Sequence, residues 1–286
     1  MASTDQWLST LSFETLFQDF LHYLRNGSPM DETILNVSAA IMVLCSLPTF
    51  LALVFGTAAP YGRYAPEAKS IVYKPQLNAK FAWFVQEVPS FLVAAALGYF
   101  GKEECMSSTV NRILLGLYLT HYFQRSFIFP FLIRGGKPTP VLLCLMAFGF
   151  CMWNGFQQGR YLTHYYTYDE SWLSHPMFII GVIMFVSGMA INIHSDHILR
   201  NLRKPGEQGY KIPRGGMFEY VSGANFFGEI LEWAGFAVCN PSPPAIAFAF
   251  FTFCNIGPRG KQHHEWYLKK FENYPKGRKG VIPFLW

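Results

Sequence analysis

The sequence predicts an all-α, polytopic membrane protein: seven transmembrane helices after an amphipathic amino-terminal helix, with polar loops gathered on the cytosolic side. Three observations lead there. Of 286 residues, 51% are hydrophobic, 17% aromatic and only 14% charged, against about 25% charged in soluble domains. The apolar residues fall into seven runs, and about 20 such residues span the hydrocarbon as a helix. Lysine and arginine, finally, are shared very unequally between the two sets of connecting loops.

In chain order, the first 30 residues lack a basic region followed by an apolar core, so no cleavable signal peptide is expected. Phe13, Leu16, Phe17, Phe20, Leu21 and Leu24 recur at helical spacing, which predicts an amphipathic helix at the membrane interface within residues 1–32. The spans follow as Ile34–Ala59, Phe81–Phe100, Ile113–Ile133, Pro140–Gln157, Met177–Ile193, Val221–Cys239 and Pro244–Gly257. The last is short, and is read as tilted, extended by the residues after it, or partly buried in protein; six spans is the fallback. No heptad run, low-complexity tract or transporter-type repeat interrupts them, so residues 33–286 read as one bundle and the chain as one domain.

Charge orients the bundle. One side collects eighteen lysines and arginines; the other has Arg25, Lys102, Arg112 and Arg160, while Arg125 lies within the third span. Positive charge marks the cytoplasmic side, so the amino terminus is expected outside or in the lumen and the carboxyl terminus in the cytosol. A net charge of +5 without a basic, non-greasy face argues against nucleic acid. The six cysteines show neither a C-x-x-C pair nor a disulfide-framework spacing and read as small buried hydrophobes.

Polar residues inside apolar runs are expensive in hydrocarbon and mark functional surfaces. Glu87 sits mid-span in FAWFVQEVPSF, with Pro89 two residues on. An apolar wall disfavours the charged carboxylate, and a protonated glutamic acid can donate a hydrogen bond to a carbonyl. In HYFQRSF, Tyr122 and Arg125 are three apart and share roughly one helical face; a tyrosine hydroxyl polarises a ketone, and an arginine holds a phosphate. The block from Asn192 to Trp233 carries Asn192, His194 and Asp196, then Arg200, Arg203, Lys204, Lys211 and Arg214, then Asn225, Glu229 and Glu232. Such a mix of basic, amide and carboxyl groups favours a polar organic ligand over lipid alone. His194, Ser195 and Asp196 are spread around a helix and form no hydrolytic triad. His263 and His264 with Glu265 lack the spacing of a metal-binding helix, so no metal is expected. Tyr267 follows His263 by one helical turn, which favours a shared cofactor contact. Neither a G-x-G-x-x-G nor a Walker motif occurs, so any dinucleotide is held without a Rossmann crossover.

The strings AWFVQEVPSF, HYFQRSF, Asn192–Trp233 and YLKKFENYPKGRKGVIPF occur in order with few gaps. They closely resemble the steroid 5α-reductase family from about Tyr61 to Trp286. The resemblance implies a seven-helix membrane enzyme that uses NADPH to reduce the carbon–carbon double bond of a 3-oxo-4-ene steroid. It implies that Glu87 and Tyr122 grip the 3-oxo group. It assigns Asn192, Asp196, Arg203, Tyr210, Asn225 and Glu229 to NADPH, joined by Arg125, His263 and Tyr267, with Tyr61, Arg200 and Lys211 as further cofactor candidates. Phe129 stands where relatives can have tyrosine, and Lys211 where they can have arginine, which changes bidentate phosphate binding. NADPH is expected from the cytosol and the apolar steroid from the bilayer, with no obligate protein partner. The membrane is the endoplasmic reticulum in a eukaryote or the inner membrane in a bacterium.

Three alternatives compete. A reductase of another lipid enone or enoyl substrate, a polyprenal or enoyl thioester, would keep the NADPH site. A membrane methyltransferase of the isoprenylcysteine carboxyl type would need S-adenosylmethionine. A seven-helix receptor or transporter would share the intramembrane Glu and Arg, but lacks support from repeats.

Overall fold

A computed structural model describes residues 13–55, 74–204, 206, 207 and 209–286. Its helices are α1 (Phe13–Asn26), α2 (Asp31–Phe55), α3 (Ala79–Tyr99), the short α4 (Glu103–Ser107), α5 (Thr109–Phe123), the short α6 (Phe129–Leu132), α7 (Val141–Arg160), α8 (Pro176–Asn201), α9 (Ala224–Cys239) and α10 (Pro243–Lys270). Polar caps set several starts. Asn78 accepts from the Lys80 amide at 2.9 Å, Ser108 from Asn111 at 3.3 Å and Ser242 from Ala245 at 3.3 Å. Each supplies an acceptor for a backbone N–H that the first turn cannot satisfy internally.

Four of the helical stretches are long and apolar enough to cross a membrane: Asp31–Phe55, Ala79–Tyr99, Val141–Tyr165 and Pro176–Asn201. The other three predicted spans are also helical but differ in detail. The third is α5, a π turn over Gln124–Ile128, and then α6. The sixth, α9, has 16 residues. The seventh is not short: α10 runs 28 residues, continuing past Gly257 to Lys270. The exterior is greasy, with Leu44, Phe55, Phe81, Leu145 and Ile183 all exposed, while His121, Arg125, Asn154, Arg160, Asp196 and Glu232 are buried. That inversion suits a molecule whose outer solvent is hydrocarbon.

Two helix pairs pack backbone against backbone. Along α8 and α9, a Cβ at Gly228 would stand 2.5 Å from the Asn192 nitrogen, and one at Gly235 2.5 Å from that of Phe185. Along α3 and α7, a Cβ at Gly155 would meet the Ser90 Cα at 2.9 Å and one at Gly159 the Ala94 Cα at 3.0 Å. Small residues permit this approach, which drives helix association where no hydrophobic gain is available. Between the pairs, Tyr118, Phe185, Trp233, Phe236 and Phe248 form an aromatic core.

The amino-terminal segment expected from sequence is helical over α1, with Leu16, Phe17 and Phe20 exposed. Its end is tied to α7 by Arg160, counted from sequence as an outer-side charge but here fully buried. Arg160 pairs with Asp31 at 2.7 Å and donates to the carbonyls of Tyr23 (2.8 Å) and Leu24 (3.0 Å). Five cysteines are buried as read, and Cys45 is exposed.

Candidate active site

A cavity of about 320 Å³ opens between α3, α5, α7, α9 and α10, within the roughly 300–1,000 Å³ range of small-molecule sites. Its wall contains Glu87 and Tyr122 together with Arg125 and Glu229, and its apolar lining includes Trp83, Leu143, Phe150, Phe226, Phe248 and Phe251. Four of the sequence-predicted site residues therefore face one space.

The α3/α7 seam places the first of them. Ser90 donates to the Cys151 carbonyl at 2.8 Å and locks the register. One turn earlier on α3, Glu87 then faces α7, where the Cys151 thiol approaches its carboxyl at 3.9 Å, while Gln86 donates to it at 3.3 Å. Tyr122 is buried near the end of α5, its hydroxyl accepting from Asn154 of α7 at 3.2 Å. Next to it, His121 lines the cavity and pairs through Nδ1 with Glu232 at 2.7 Å, the Trp233 ring standing edge-on 4.6 Å away. The second Glu232 oxygen is buried without a partner among the described residues.

Arg125 lies in the π turn, where the Phe129 amide reaches back to the Gln124 carbonyl. Pro130, just beyond, has no N–H to give the Ser126 carbonyl, so the regular α pattern cannot continue there. The guanidinium is buried between the Trp83 and Phe129 rings, 5.1 and 4.3 Å from their centres, a cation–π arrangement. It donates to Asp196 at 2.9 Å. Phe129, the departure noted from sequence, thus forms one face of the arginine's slot.

The α8/α9 seam gathers the remaining polar groups around Arg125 and Glu229 of the cavity wall. Asn192 donates to the Asn225 carbonyl at 3.0 Å and to Glu229 at 3.4 Å, and Asn225 donates to Asp196 at 3.3 Å. Asn192 and Asp196 are one turn apart and buried, while His194 is exposed, as the helical spread predicts. Arg125, Asn192, Asp196, Asn225 and Glu229 form one connected cluster.

The basic loop residues stand apart from it. Arg200 contacts His197 at 3.2 Å, Arg203 donates to the Gly209 carbonyl at 3.3 Å and lies over the Tyr210 ring, and Lys211 pairs with Glu207. Hydrogen bonding to Lys211 and to the Lys204 amide holds the Glu207 carboxyl below its ordinary value. Of the α10 pair, His263 packs against Phe226 of the cavity wall, whereas Tyr267 stacks on Tyr274 at 5.2 Å. His264 points elsewhere, to the Ser222 hydroxyl. Tyr61 lies outside the described residues.

Several lining residues escaped the sequence reading. Arg259, taken only as a tail charge, lines the cavity because α10 continues so far. Gln86, Thr252 and Asn255 also line it. Asn154, which holds the tyrosine, carried a readable signal: an amide inside an apolar run.

A family model described as 3-oxo-5-alpha-steroid 4-dehydrogenase matches residues 137–286. The 3-oxo-5-alpha-steroid 4-dehydrogenase 1 of Bos taurus is 54% identical over 79% of this chain and 87% of its own. The corresponding protein of Homo sapiens is 53% identical over 80% and 87%. The 3-oxo-5-alpha-steroid 4-dehydrogenase 2 of Rattus norvegicus is 47% identical over 87% and 96%.

Proposed function

The chain belongs to the 3-oxo-5-alpha-steroid 4-dehydrogenase family, and we propose that it reduces the 4,5 double bond of 3-oxo-4-ene steroids to 5α-dihydro products with NADPH. The observation that carries this reading is a single cavity whose wall joins Glu87 and Tyr122 to apolar side chains and to Arg125 and Glu229, the last two belonging to a hydrogen-bonded cluster with Asn192, Asp196 and Asn225.

The donor set fits a dinucleotide phosphate. The buried Asn192, the half-buried Asn225 and a fixed arginine suit a polar ring and its carboxamide, and Arg200 at the end of α8 with Arg203, Lys204, Lys211 and Arg214 of the loop after it supply cations for phosphates. When bound there, NADPH supplies a hydride to carbon 5 of the enone. Negative charge then develops on the substrate's 3-oxo oxygen as an enolate. Tyr122 and protonated Glu87 donate hydrogen bonds to that oxygen and stabilise the charge as an oxyanion hole does. Carbon 4 then takes a proton from water or a nearby side chain. Phe150, Phe248 and Phe251 keep the steroid's ring system dry.

The same reading makes the greasy exterior a lipid-facing surface crossed by seven helices, with the apolar face of α1 at the interface. The amino terminus lies outside or in the lumen, and the basic loops and tail are cytosolic. The apolar substrate arrives from the bilayer and NADPH from the cytosol.

Mass spectrometry of membranes incubated with NADPH and progesterone or testosterone tests the proposal, with empty membranes and NADH as controls. The expected product is two mass units heavier and co-elutes with the 5α-dihydro standard. NADPH binding without product from either steroid would overturn the substrate assignment.

A further inference from the structure

We infer that Asn154 and Gln158 of α7 are positioning residues that fix the hydrogen-bond polarity of Tyr122, keeping its hydroxyl hydrogen available for the substrate carbonyl. The inference rests on the reading of Tyr122 as the donor to the 3-oxo group.

One group in this chain of hydrogen bonds has a fixed polarity. The Pro244 carbonyl can only accept a hydrogen bond, so the Gln158 atom 2.9 Å from it is the amide nitrogen, Nε2. The second hydrogen on that nitrogen goes to Asn154 at 3.2 Å, so the Asn154 atom there is the acceptor, Oδ1. The Asn154 nitrogen must then face the other way. It meets two hydroxyls, Tyr118 at 3.1 Å and Tyr122 at 3.2 Å. Both of its hydrogens are spent there, and both tyrosine oxygens are acceptors towards it.

A hydroxyl has one hydrogen to give. Since Tyr122 accepts from Asn154, its own hydrogen is directed elsewhere. Ser90 lies within reach of both tyrosine hydroxyls, and its hydrogen is committed to the Cys151 carbonyl. Ser90 is therefore an acceptor for one of the pair. The Tyr118 and Tyr122 hydroxyls also reach each other; Tyr122 is the one that lines the cavity, and with Tyr118 donating to Tyr122 or to Ser90 the Tyr122 hydrogen is free to turn to an incoming carbonyl. Asn154 is fully buried and Gln158 almost so, and no water is needed to complete the chain of donors. The single loose end is Gln158 Oε1, buried without a partner among the described residues. A glutamine that served only to satisfy itself would not leave it there.

This polarity makes a prediction that a packing role does not. Asn154→Asp keeps the shape and reverses the polarity: the carboxylate accepts from Tyr122 and takes its hydrogen away from the substrate. Turnover should fall on the order of a hundredfold, approaching the loss in Tyr122→Phe. Asn154→Ala leaves a small void yet leaves the tyrosine hydrogen free, so turnover should fall less than about tenfold, the scale of one neutral hydrogen bond. A packing role gives the opposite ranking, because the isosteric change would be the milder one. The variants would be measured side by side in membranes for kcat, steroid KM, NADPH affinity and thermal stability. NADPH affinity should be retained in both. The ratio of Asn154→Asp to wild-type turnover should also rise as pH falls, because a protonated aspartic acid regains a donor.

Asn154→Asp within about threefold of wild type, with Tyr122→Phe inactive, overturns the inference and leaves the function intact. An active Tyr122→Phe removes the donor role on which the inference stands. If Asn154→Asp loses NADPH binding as well, Gln158→Met decides. It frees the Asn154 amide to turn over and should lower kcat without changing the NADPH KM, and an unchanged kcat overturns the inference.

Discussion

The α3/α7 and α8/α9 pairs both pack backbone on backbone, and they differ in how close they come and in what they hold. Between α3 and α7 the glycines come from one helix, Gly155 and Gly159, and face Ser90 and Ala94. Between α8 and α9 they come from both, with Gly181 and Gly188 opposite Gly228 and Gly235. The closer pair is the one whose two helices must interlock short polar side chains: Asn192 and Asp196 from one, Asn225 and Glu229 from the other. The looser pair aims Glu87 into the cavity and sets the buried Asn154 amide behind it, on the Tyr118 and Tyr122 hydroxyls. The seam with the closest backbone approach is therefore the one that carries the connected polar cluster.

That contrast breaks most visibly at Gly228. A valine there collides with the Asn192 backbone rather than with a flexible side chain. Overpacking of about 1–3 kcal/mol is the ordinary scale, and a backbone clash lies at its upper end or beyond. Gly228→Val should abolish measurable NADPH binding and lower thermal stability. Gly155→Val, against Ser90, should cut turnover while NADPH still binds. Equal loss of NADPH binding in the two variants would erase the distinction between the seams.

The next effect belongs to Glu87 and Tyr122 alone. Tyr122→Phe and Glu87→Leu each remove a donor from the developing enolate, so kcat should drop on the order of a hundredfold or more. NADPH affinity, measured by protein fluorescence quenching or calorimetry, should stay near wild type. A loss of affinity comparable to the loss of turnover would place these groups at the cofactor end.

The apolar runs were legible because hydrocarbon leaves few ways to hide a backbone, and the intramembrane Glu, Asn and Arg were legible because they are costly there. Hydropathy could not reveal that α10 continues beyond Gly257, since a helix can run on into polar surroundings while its backbone bonds persist. Arg259 was missed as a lining residue for that reason. The π turn that aims Arg125 adds one residue to one turn, too little to register in a periodicity. The pairing of His121 with Glu232 joins positions 111 apart in sequence, and nothing local announces it. Asn154 and Gln158 were a different kind of miss. They are polar residues inside an apolar run, the same signal that singled out Asn225 and Glu229, but they sit near the end of a span, where polar residues are usual.

The exposed loop sharpens the comparison at a smaller scale, because its cations act without a seam behind them. Arg203 is exposed, donates to a loop carbonyl and lies over the Tyr210 ring. Arg203→Ala should raise the NADPH KM by about tenfold, the equivalent of roughly 1.4 kcal/mol, with kcat unchanged. An unchanged KM would remove Arg203 from the cofactor site.

The smallest effect concerns the clip that joins this loop to the carboxyl-terminal tail. Glu219 accepts from the Gly215 amide at 2.6 Å and from buried Arg278 at 3.2 Å, and Arg278 also donates to the Pro213 carbonyl at 2.9 Å. The Gly215 hydrogen bond, then Arg278, hold the Glu219 carboxyl below its ordinary value of 4.5. A depressed folded value means that the carboxylate's contribution is complete above the ordinary value and is lost as pH falls through the folded one. Glu219→Gln should therefore loosen residues 209–219 at pH 7, read as faster amide exchange there, and the gap between variant and wild type should close as pH falls through the lowered carboxyl value. Because the side chain is partly exposed, solvent screening keeps the effect under roughly 1 kcal/mol, and the change in NADPH KM should stay within about threefold. A difference in exchange that persists unchanged at low pH would show that the glutamine disturbs packing rather than charge, and would leave Arg278 and the Pro213 carbonyl as the working part of the clip.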